Sequence, residues 1–346
     1  MVESSVTLVK MPNPSSYPSA RLREPCPRFI LHISSFNLTS QWGPASRWWF
    51  LLSPFSIHPH LGAVKLSAAE IRVAVKNALS EDLGSGDATT LATVLKNLPA
   101  TALMRAREPL TVAGIQFAAA AFQILSPKIK IQKRLRDGQR ARAGATILKI
   151  SGPAHAILSA ERVALNFVQR LSGVASATAQ FVEAIHGTGA RILDTRKTTP
   201  GWRRFEKFAV ACGGGWNHRI GLFDMILIKD NHLAALRNEK PDAISAAVAR
   251  ARKKFPRLKV EVEADTLEQV AQAAAAGADI ILLDNMDLKQ LRAAVKIVAG
   301  RAQTEASGGV NLKTVRAIAG TGVDFISVGA ITHSARAVDI GLDFES

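Results

Sequence analysis

From about residue 190 onward the chain repeats one pattern: a short apolar run, a polar break, then a helical stretch. The runs are "RILD", "DMILIK", "LKVEVE", "DIILLD", "QTEAS" and "DFISVG". Segments with helical spacing of apolar residues, such as "TLEQVAQAAAAG" and "LKTVRAIAGTG", separate most of them. Strands connected through helices run parallel, so the pattern predicts repeated strand–helix units in a barrel or a doubly wound sheet. A spacing of roughly 20–35 residues per unit suits a (β/α) barrel. No fixed-period sequence repeat accompanies it, which argues against a solenoid.

Parallel strands of a barrel all finish at one rim, where substrate groups are held. Arg196 and Lys197 follow "RILD", Lys229 and Asp230 follow "DMILI", and Glu263 ends "VEVE". "IILL" leads to Asp284 and Asn285, "QTEA" to Ser307, Gly308 and Gly309, and "FISV" to Gly329. One polar residue after a strand says only that the strand has ended. A succession sorted into cations, carboxylates and glycine turns points to a site. The turns in "EASGGVNLKTV" and "SVGAITHSA" would leave backbone N–H groups open to a phosphate. Glu263 and Asp284 could hold a Mg²⁺-bound diphosphate or ribose hydroxyls, or stabilise positive charge on a sugar carbon. They could equally serve only to neutralise Lys229 and Arg196. His218 and His232 lack zinc-triad spacing, so a hydrogen-bonding role is expected of them.

Further upstream, Ser67 and Glu70 have capping-box spacing ahead of a helix facing inward through Ile71, Val75 and Leu79, and stopped by Gly84 and Gly86. Residues 100–150 alternate Lys and Arg with Ile and Leu, as strands with one wet face do, and the basic excess there is expected to be solvated. A second long helix should follow over "AHAILSAERVALNFVQRLSGVASATAQFVEAIH", with Leu158, Leu165, Val168 and Leu171 on one stripe. Residues 1–62 are rich in Pro and Ser, without a sustained apolar period, and are expected to be a disordered extension. "RWWFLLSPFSI" is short and broken by Pro54, so it does not read as a membrane span or a normal secretory signal.

The formal net charge of +16 calls for anionic partners. Aromatics are 6% of the chain and no interleaved basic–aromatic platform appears, which disfavours nucleic acid and leaves small phosphorylated or carboxylated ligands. Only Cys26 and Cys212 are present, too few for a disulfide framework and suited to a reducing cytoplasm.

Seven motifs in order, "EDLGSGDATT", "ERVALNFVQRLSG", "DTRKTTPGWR", "GGGWNHRIGLFDMILIKDNH", "VEVEADTLEQV", "LLDNM" and "EASGGVNL…GVDFISVGAITHSA", resemble the quinolinate phosphoribosyltransferase family. The resemblance runs in register from about Ser67 to Phe344. It implies an α/β fold, an N-terminal α/β sandwich (63–175) joined to an irregular (β/α) barrel (176–334), with a tail (335–346) returning to the first domain. It implies phosphoribosyl transfer from phosphoribosyl pyrophosphate to quinolinate with decarboxylation, and Mg²⁺ arriving with the donor. It also implies a homodimer, with Arg162 reaching the neighbouring site and neither nucleic acid nor membrane as partner. Thr195, Arg196, His218, Arg219 and Lys229 match positions around quinolinate. Lys197, Glu263 and Asp284 match positions at the donor and its Mg²⁺, with Lys197, Lys229, Glu263 and Asp284 as the catalytic set. Ser307, Gly308, Gly309 and the turn Val328, Gly329, Ala330 match the 5′-phosphate seat, and His333 lies beside it. The nearest rival implied is a paralogue with the same barrel and another acceptor, linked to molybdenum transport.

Overall fold

The computed structural model describes residues 64–96 and 98–345, all within one unit that spans Ser56–Ser346. The expected disordered extension over residues 1–62 lies outside the described residues, as does Cys26. The strands, in chain order, are β1 (Pro99–Ala106), β2 (Leu110–Thr111), β3 (Lys130–Lys133), β4 (Arg140–Ala141), β5 (Thr146–Pro153) and β6 (Arg191–Leu193). They continue with β7 (Ile226–Ile228), β8 (Val260–Ala264), β9 (Ile280–Asp284), β10 (Gln303–Ser307), β11 (Phe325–Ser327) and β12 (Ile340–Phe344).

The first sheet is antiparallel, in the order β12-β1-β5-β3. Its outer strand β12 comes from the far end of the chain. Arg105 and Arg107 on and after β1 pair with Asp343, and Lys149 pairs with Glu345 at 2.7 Å. Part of the basic excess of this region is therefore bound to the returning strand instead of being merely solvated. The alternation expected of a strand with one wet face holds for β1 except at Leu103: Ala102, Met104 and Ala106 are fully buried, while Thr101 and Arg105 on the other face are only half-buried.

Helices pack beside this sheet. Ala68–Leu83 begins with the expected capping box at Ser67 and Glu70 and buries Ile71, Val75 and Leu79. Ala154–Ala184 is the long helix, and it buries far more than one stripe. Leu165, Val168 and Leu171 are inside, Leu158 is only half-buried, and Ala156, Ile157, Ala160, Val163 and Ala164 are buried too. It touches β1, β5 and β12 on one side and β6 and helix Arg203–Cys212 on the other, so most of its circumference is covered. Phe117, Phe167, Trp202 and Phe205 cluster at that junction, with the Phe167 and Trp202 rings stacked 5.0 Å apart and nearly parallel.

The second sheet contains the six predicted apolar runs as parallel strands, in the order β6-β11-β10-β9-β8-β7. Side chains cap three of the connecting helices. Asp242 caps Ala243–Lys254, and Thr266 with Gln269 and Asp287 with Gln290 form capping boxes at Leu267–Ala275 and Leu288–Val298. The sheet curls. Trp216 bridges to Leu193 at the β6 edge, yet the neighbouring His218 lies 3.0 Å from Glu261 on β8. A flat sheet would set β6 and β8 about 19 Å apart at the usual strand spacing. Only curvature about a common interior closes that gap, as in a barrel. The expected fold class therefore holds: an antiparallel sheet with helices, joined to a parallel α/β sheet. Among the described residues no helix is long and apolar enough to cross a membrane.

Candidate active site

Because the six strands are parallel, their C-terminal ends form one rim. Thr195, Arg196 and Lys197 leave β6, and Lys229 leaves β7. Glu263 lies near the end of β8, Asp284 and Ser307 close β9 and β10, and Val328, Gly329 and Ala330 follow β11. Asp284 and Ser307 are register partners, and Val328 donates its N–H to Leu193 O at 2.9 Å. Lys229 forms an ion pair with Glu263. Asn285 donates to Asp284 at 2.6 Å and stands in the left-handed region. Its side chain fills the space beside Gly308, where a Cβ would come within 2.1 Å of Asn285 Oδ1. With φ of +96°, that turn requires glycine twice over. Across the rim, a Cβ on Gly329 would meet Lys197 Cδ at 3.3 Å and His333 Nε2 at 3.1 Å, so those three residues adjoin. Thr195 Oγ1 accepts the Lys197 N–H at 3.0 Å, and Thr332 donates its hydroxyl to Lys197 O at 2.8 Å.

The cation-rich segment from Arg191 to Arg219 divides into two sets. Arg203 braces loops through Thr198 and Ile220 O, and Arg204 reaches Glu70 and Lys65 O. Lys207 is wholly buried, pairs with Asp194 and donates to His218 O at 2.8 Å. Burial pushes Asp194 up and Lys207 down, and their contact, with Asn217 and the His218 N–H on Asp194, opposes both shifts. These cations are structural. Arg196, Lys197 and Arg219, by contrast, have no carboxylate within ion-pair distance among the described residues. The Nε atoms of Arg196 and Arg219 are buried without a hydrogen-bond partner. Burial, and then repulsion from Arg196, lower the pKa of Arg219. Two like charges held partly out of water with unmet donors are an arrangement that a bound anion would relieve.

Below the rim, His218 points into the barrel interior. Its Nδ1 accepts the Arg219 N–H at 2.7 Å, and its Nε2 lies 3.0 Å from Glu261 and 3.7 Å from Glu305. Burial would lower the pKa of His218, but the two carboxylates outweigh it and would raise it to about 9. The Arg219 N–H aimed at Nδ1 opposes that second ring proton. The proton retained by the cluster is better placed on Glu305, whose carboxyl burial, and then Glu261, push up to about 8. His232 is exposed and accepts the Lys229 N–H at 2.9 Å, the kind of hydrogen-bonding role expected of it.

One candidate stands apart. Arg162 is exposed on the long helix and makes no hydrogen bond or ion pair with a rim residue among the described residues. Sequence reasoning missed Glu261, Glu305 and the Asp194–Lys207 pair. The first two were within reach: period-two alternation in "VEVE" puts Glu261 on the face of Glu263, and "TEAS" puts Glu305 on the face of Ser307. Nothing in the sequence marks Lys207 as the one lysine that goes inside.

Comparison with known proteins agrees with this architecture. Residues 87–172 match the model of the quinolinate phosphoribosyl transferase N-terminal domain, and residues 174–343 match that of its C-terminal domain. The chain is 44% identical over 278 residues to a carboxylating nicotinate-nucleotide pyrophosphorylase of Mycobacterium leprae, covering 79% of this chain and 96% of that protein. It is 41% identical over 293 residues to the chloroplastic enzyme of that name from Arabidopsis thaliana, covering 80% and 83%. The solved nicotinate-nucleotide pyrophosphorylase of Francisella tularensis superposes with a TM-score of 0.77 at 40% identity, covering 82% of this chain and 99% of that one. With both domain models matched end to end across the two sheets, the chain belongs to the quinolinate phosphoribosyltransferase family.

Proposed function

We infer that the chain transfers the phosphoribosyl group of phosphoribosyl pyrophosphate to quinolinate and decarboxylates the adduct. The products are nicotinate mononucleotide, pyrophosphate and CO₂, a step of de novo NAD synthesis. One observation carries the reading: Arg196, Lys197 and Arg219 gather at a rim without carboxylate partners, beside the carboxylates Glu263 and Asp284. Quinolinate is a dianion and its co-substrate carries several charges more. Bringing them together in a partly dry cleft needs fixed counter-charges. Arg196 and Arg219 offer planar two-point contacts to the acceptor's carboxylates, with Thr195, His218 and Lys229 around them. Ser307, Gly308, Gly309 and the Val328–Ala330 turn, with His333 beside it, seat the 5′-phosphate.

Mg²⁺ bound with the donor would supply charge neutralisation for the leaving diphosphate. Glu263 and Asp284 fit it chemically, as hard oxygen ligands on adjacent strands. Because Lys229 already holds Glu263, these carboxylates would act on the ion indirectly. Lys197 steadies the departing pyrophosphate as the C1–O bond breaks, and Glu263 faces the positive charge that develops on the ribose carbon. The pyridine nitrogen donates its lone pair to that carbon. The resulting pyridinium then accepts the electron pair of the adjacent C–CO₂⁻ bond, CO₂ leaves, and the ring carbon takes a proton from water. Fixed charges and orientation supply the catalysis without a covalent enzyme intermediate.

In this reading residues 176–334 carry the chemistry, and residues 63–175 with the tail 335–346 support them. The enzyme works as a homodimer in which Arg162 completes the partner's site, in keeping with its exposed, unengaged position. A cytoplasmic location accords with the two cysteines. The test supplies quinolinate, phosphoribosyl pyrophosphate and Mg²⁺ and measures nicotinate mononucleotide and CO₂ in equal amounts. Pyrophosphate release without CO₂, or activity only with another acceptor, would reject the assignment in favour of a paralogue.

A further inference from the structure

Both nitrogens of His218 are engaged inside the protein, Nδ1 by the Arg219 N–H and Nε2 toward Glu261 and Glu305. None of the four carboxylate oxygens of Glu261 and Glu305 meets a hydrogen-bond donor in good geometry among the described residues, although both side chains are buried almost completely and Nε2 stands 3.0 Å from Glu261. Two carboxylates so placed are costly unless something holds them to a task. A histidine with two glutamates is also a familiar metal-ligand set. Here, however, Nδ1 is an acceptor, so the ring proton sits on Nε2 and that nitrogen has no lone pair to give a metal. The surroundings are also cationic, with Arg219 and Lys207 both acting electrostatically on the ring or its carboxylates.

We propose that Glu261 and Glu305 are positioning residues for the acceptor subsite: together they hold the Nε2 proton of His218 and so fix the imidazole that props the Arg219 peptide. The chain of contacts is short. Glu261 orients the ring, the ring's Nδ1 holds the Arg219 N–H, and the Arg219 guanidinium, anchored to Met225 O at 3.1 Å, faces the rim. Without the carboxylates the Arg219 N–H still favours this tautomer, but nothing at Nε2 holds the ring in this rotamer. The Arg219 N–H then loses its acceptor, and the guanidinium loses its aim. This rests on the quinolinate reading for what Arg219 grips, but the ring geometry can be tested without it.

Glu261→Leu, compared with wild type in steady-state kinetics, should raise the KM for quinolinate about tenfold or more while the KM for phosphoribosyl pyrophosphate stays within about twofold. Glu261→Gln keeps an oxygen that can accept from Nε2 and should recover most of that loss. Glu305→Leu should raise the quinolinate KM in the same direction by a smaller factor. A folded Glu261→Leu enzyme with an unchanged quinolinate KM, or with both KM values raised alike, overturns the proposal. So does a Gln variant no better than Leu. Nitrogen-15 NMR of histidine-labelled wild-type protein gives a second readout that needs no variant to fold. His218 should show protonated Nε2 and unprotonated, hydrogen-bonded Nδ1, and the opposite tautomer, or a stoichiometric metal retained on purification, refutes the idea. Wild-type protein that makes no nicotinate mononucleotide would reject the functional reading instead, leaving the tautomer measurement to decide the positioning role.

Discussion

Arg219 and Lys207 lie twelve positions apart in sequence and carry the same formal charge, but their surroundings assign them different work. Lys207 sits wholly inside against Asp194, so removing either partner would leave a bare buried charge, a loss of about 3–5 kcal/mol. Arg219 has no carboxylate partner among the described residues and an unmet Nε, capacity that the proposed function assigns to the acceptor. Arg219→Lys keeps the charge and loses the planar fork. The KM for quinolinate should rise about tenfold, with the donor's KM and the melting temperature nearly unchanged. An unaltered quinolinate KM would remove Arg219 from the acceptor subsite. The sequence identified Arg219 through its place after "GWNH", whereas Lys207 inside "RRFEKFAVAC" reads as one more solvated cation. Burial of a lysine depends on where Asp194 ends up, and no local pattern encodes that.

At the scale of elements, the long helix Ala154–Ala184 is the part on which both sheets depend. It touches strands of each sheet, and its middle is crossed by the segment that returns to form β12. The crossing is close at Gly173, where a Cβ would fall 2.0 Å from the Arg336 carbonyl oxygen. Gly173→Ala cannot be absorbed by a side-chain rotation, because the obstacle is backbone. It should cost about 3 kcal/mol or more and loosen β12 before the parallel sheet melts, as hydrogen exchange along β1 and β12 would show. A helix that tolerates alanine there would mean that the return segment packs elsewhere. The heptad-like stripe at Leu165, Val168 and Leu171 was legible. The all-round burial was not, because a small residue such as Gly173 reveals its neighbour only after the chain has folded back.

For the whole molecule, the excess of positive charge has a distribution and not just a sum. Some cations pair with carboxylates on or just after β12, some brace the loops around β6, and a few at the rim have no carboxylate partner among the described residues. The proposed dimer adds Arg162 from the second chain. Arg162→Ala and Lys229→Ala should each abolish turnover in the homodimer, the first by spoiling the partner's site and the second by spoiling its own. Exchanging subunits between the two inactive proteins creates mixed dimers with one intact site, so activity should return to about a quarter of wild type. No recovery after verified exchange would place Arg162 in its own chain's site or in none.

The strand–helix alternation, the capping residues and the polar residue at each strand end were fixed by the sequence alone, because period, cap and turn chemistry act over a few residues. That was enough for the fold class and for a rim of candidate side chains. Tertiary structure alone decided which cations are spent on structure, that Glu261 and Glu305 meet His218 across the interior, and that Gly173 must stay bare. Those facts depend on how the parallel sheet curls and on where the last strand docks. Both bring together residues far apart in the chain, and contacts at such separations leave no local periodicity to read.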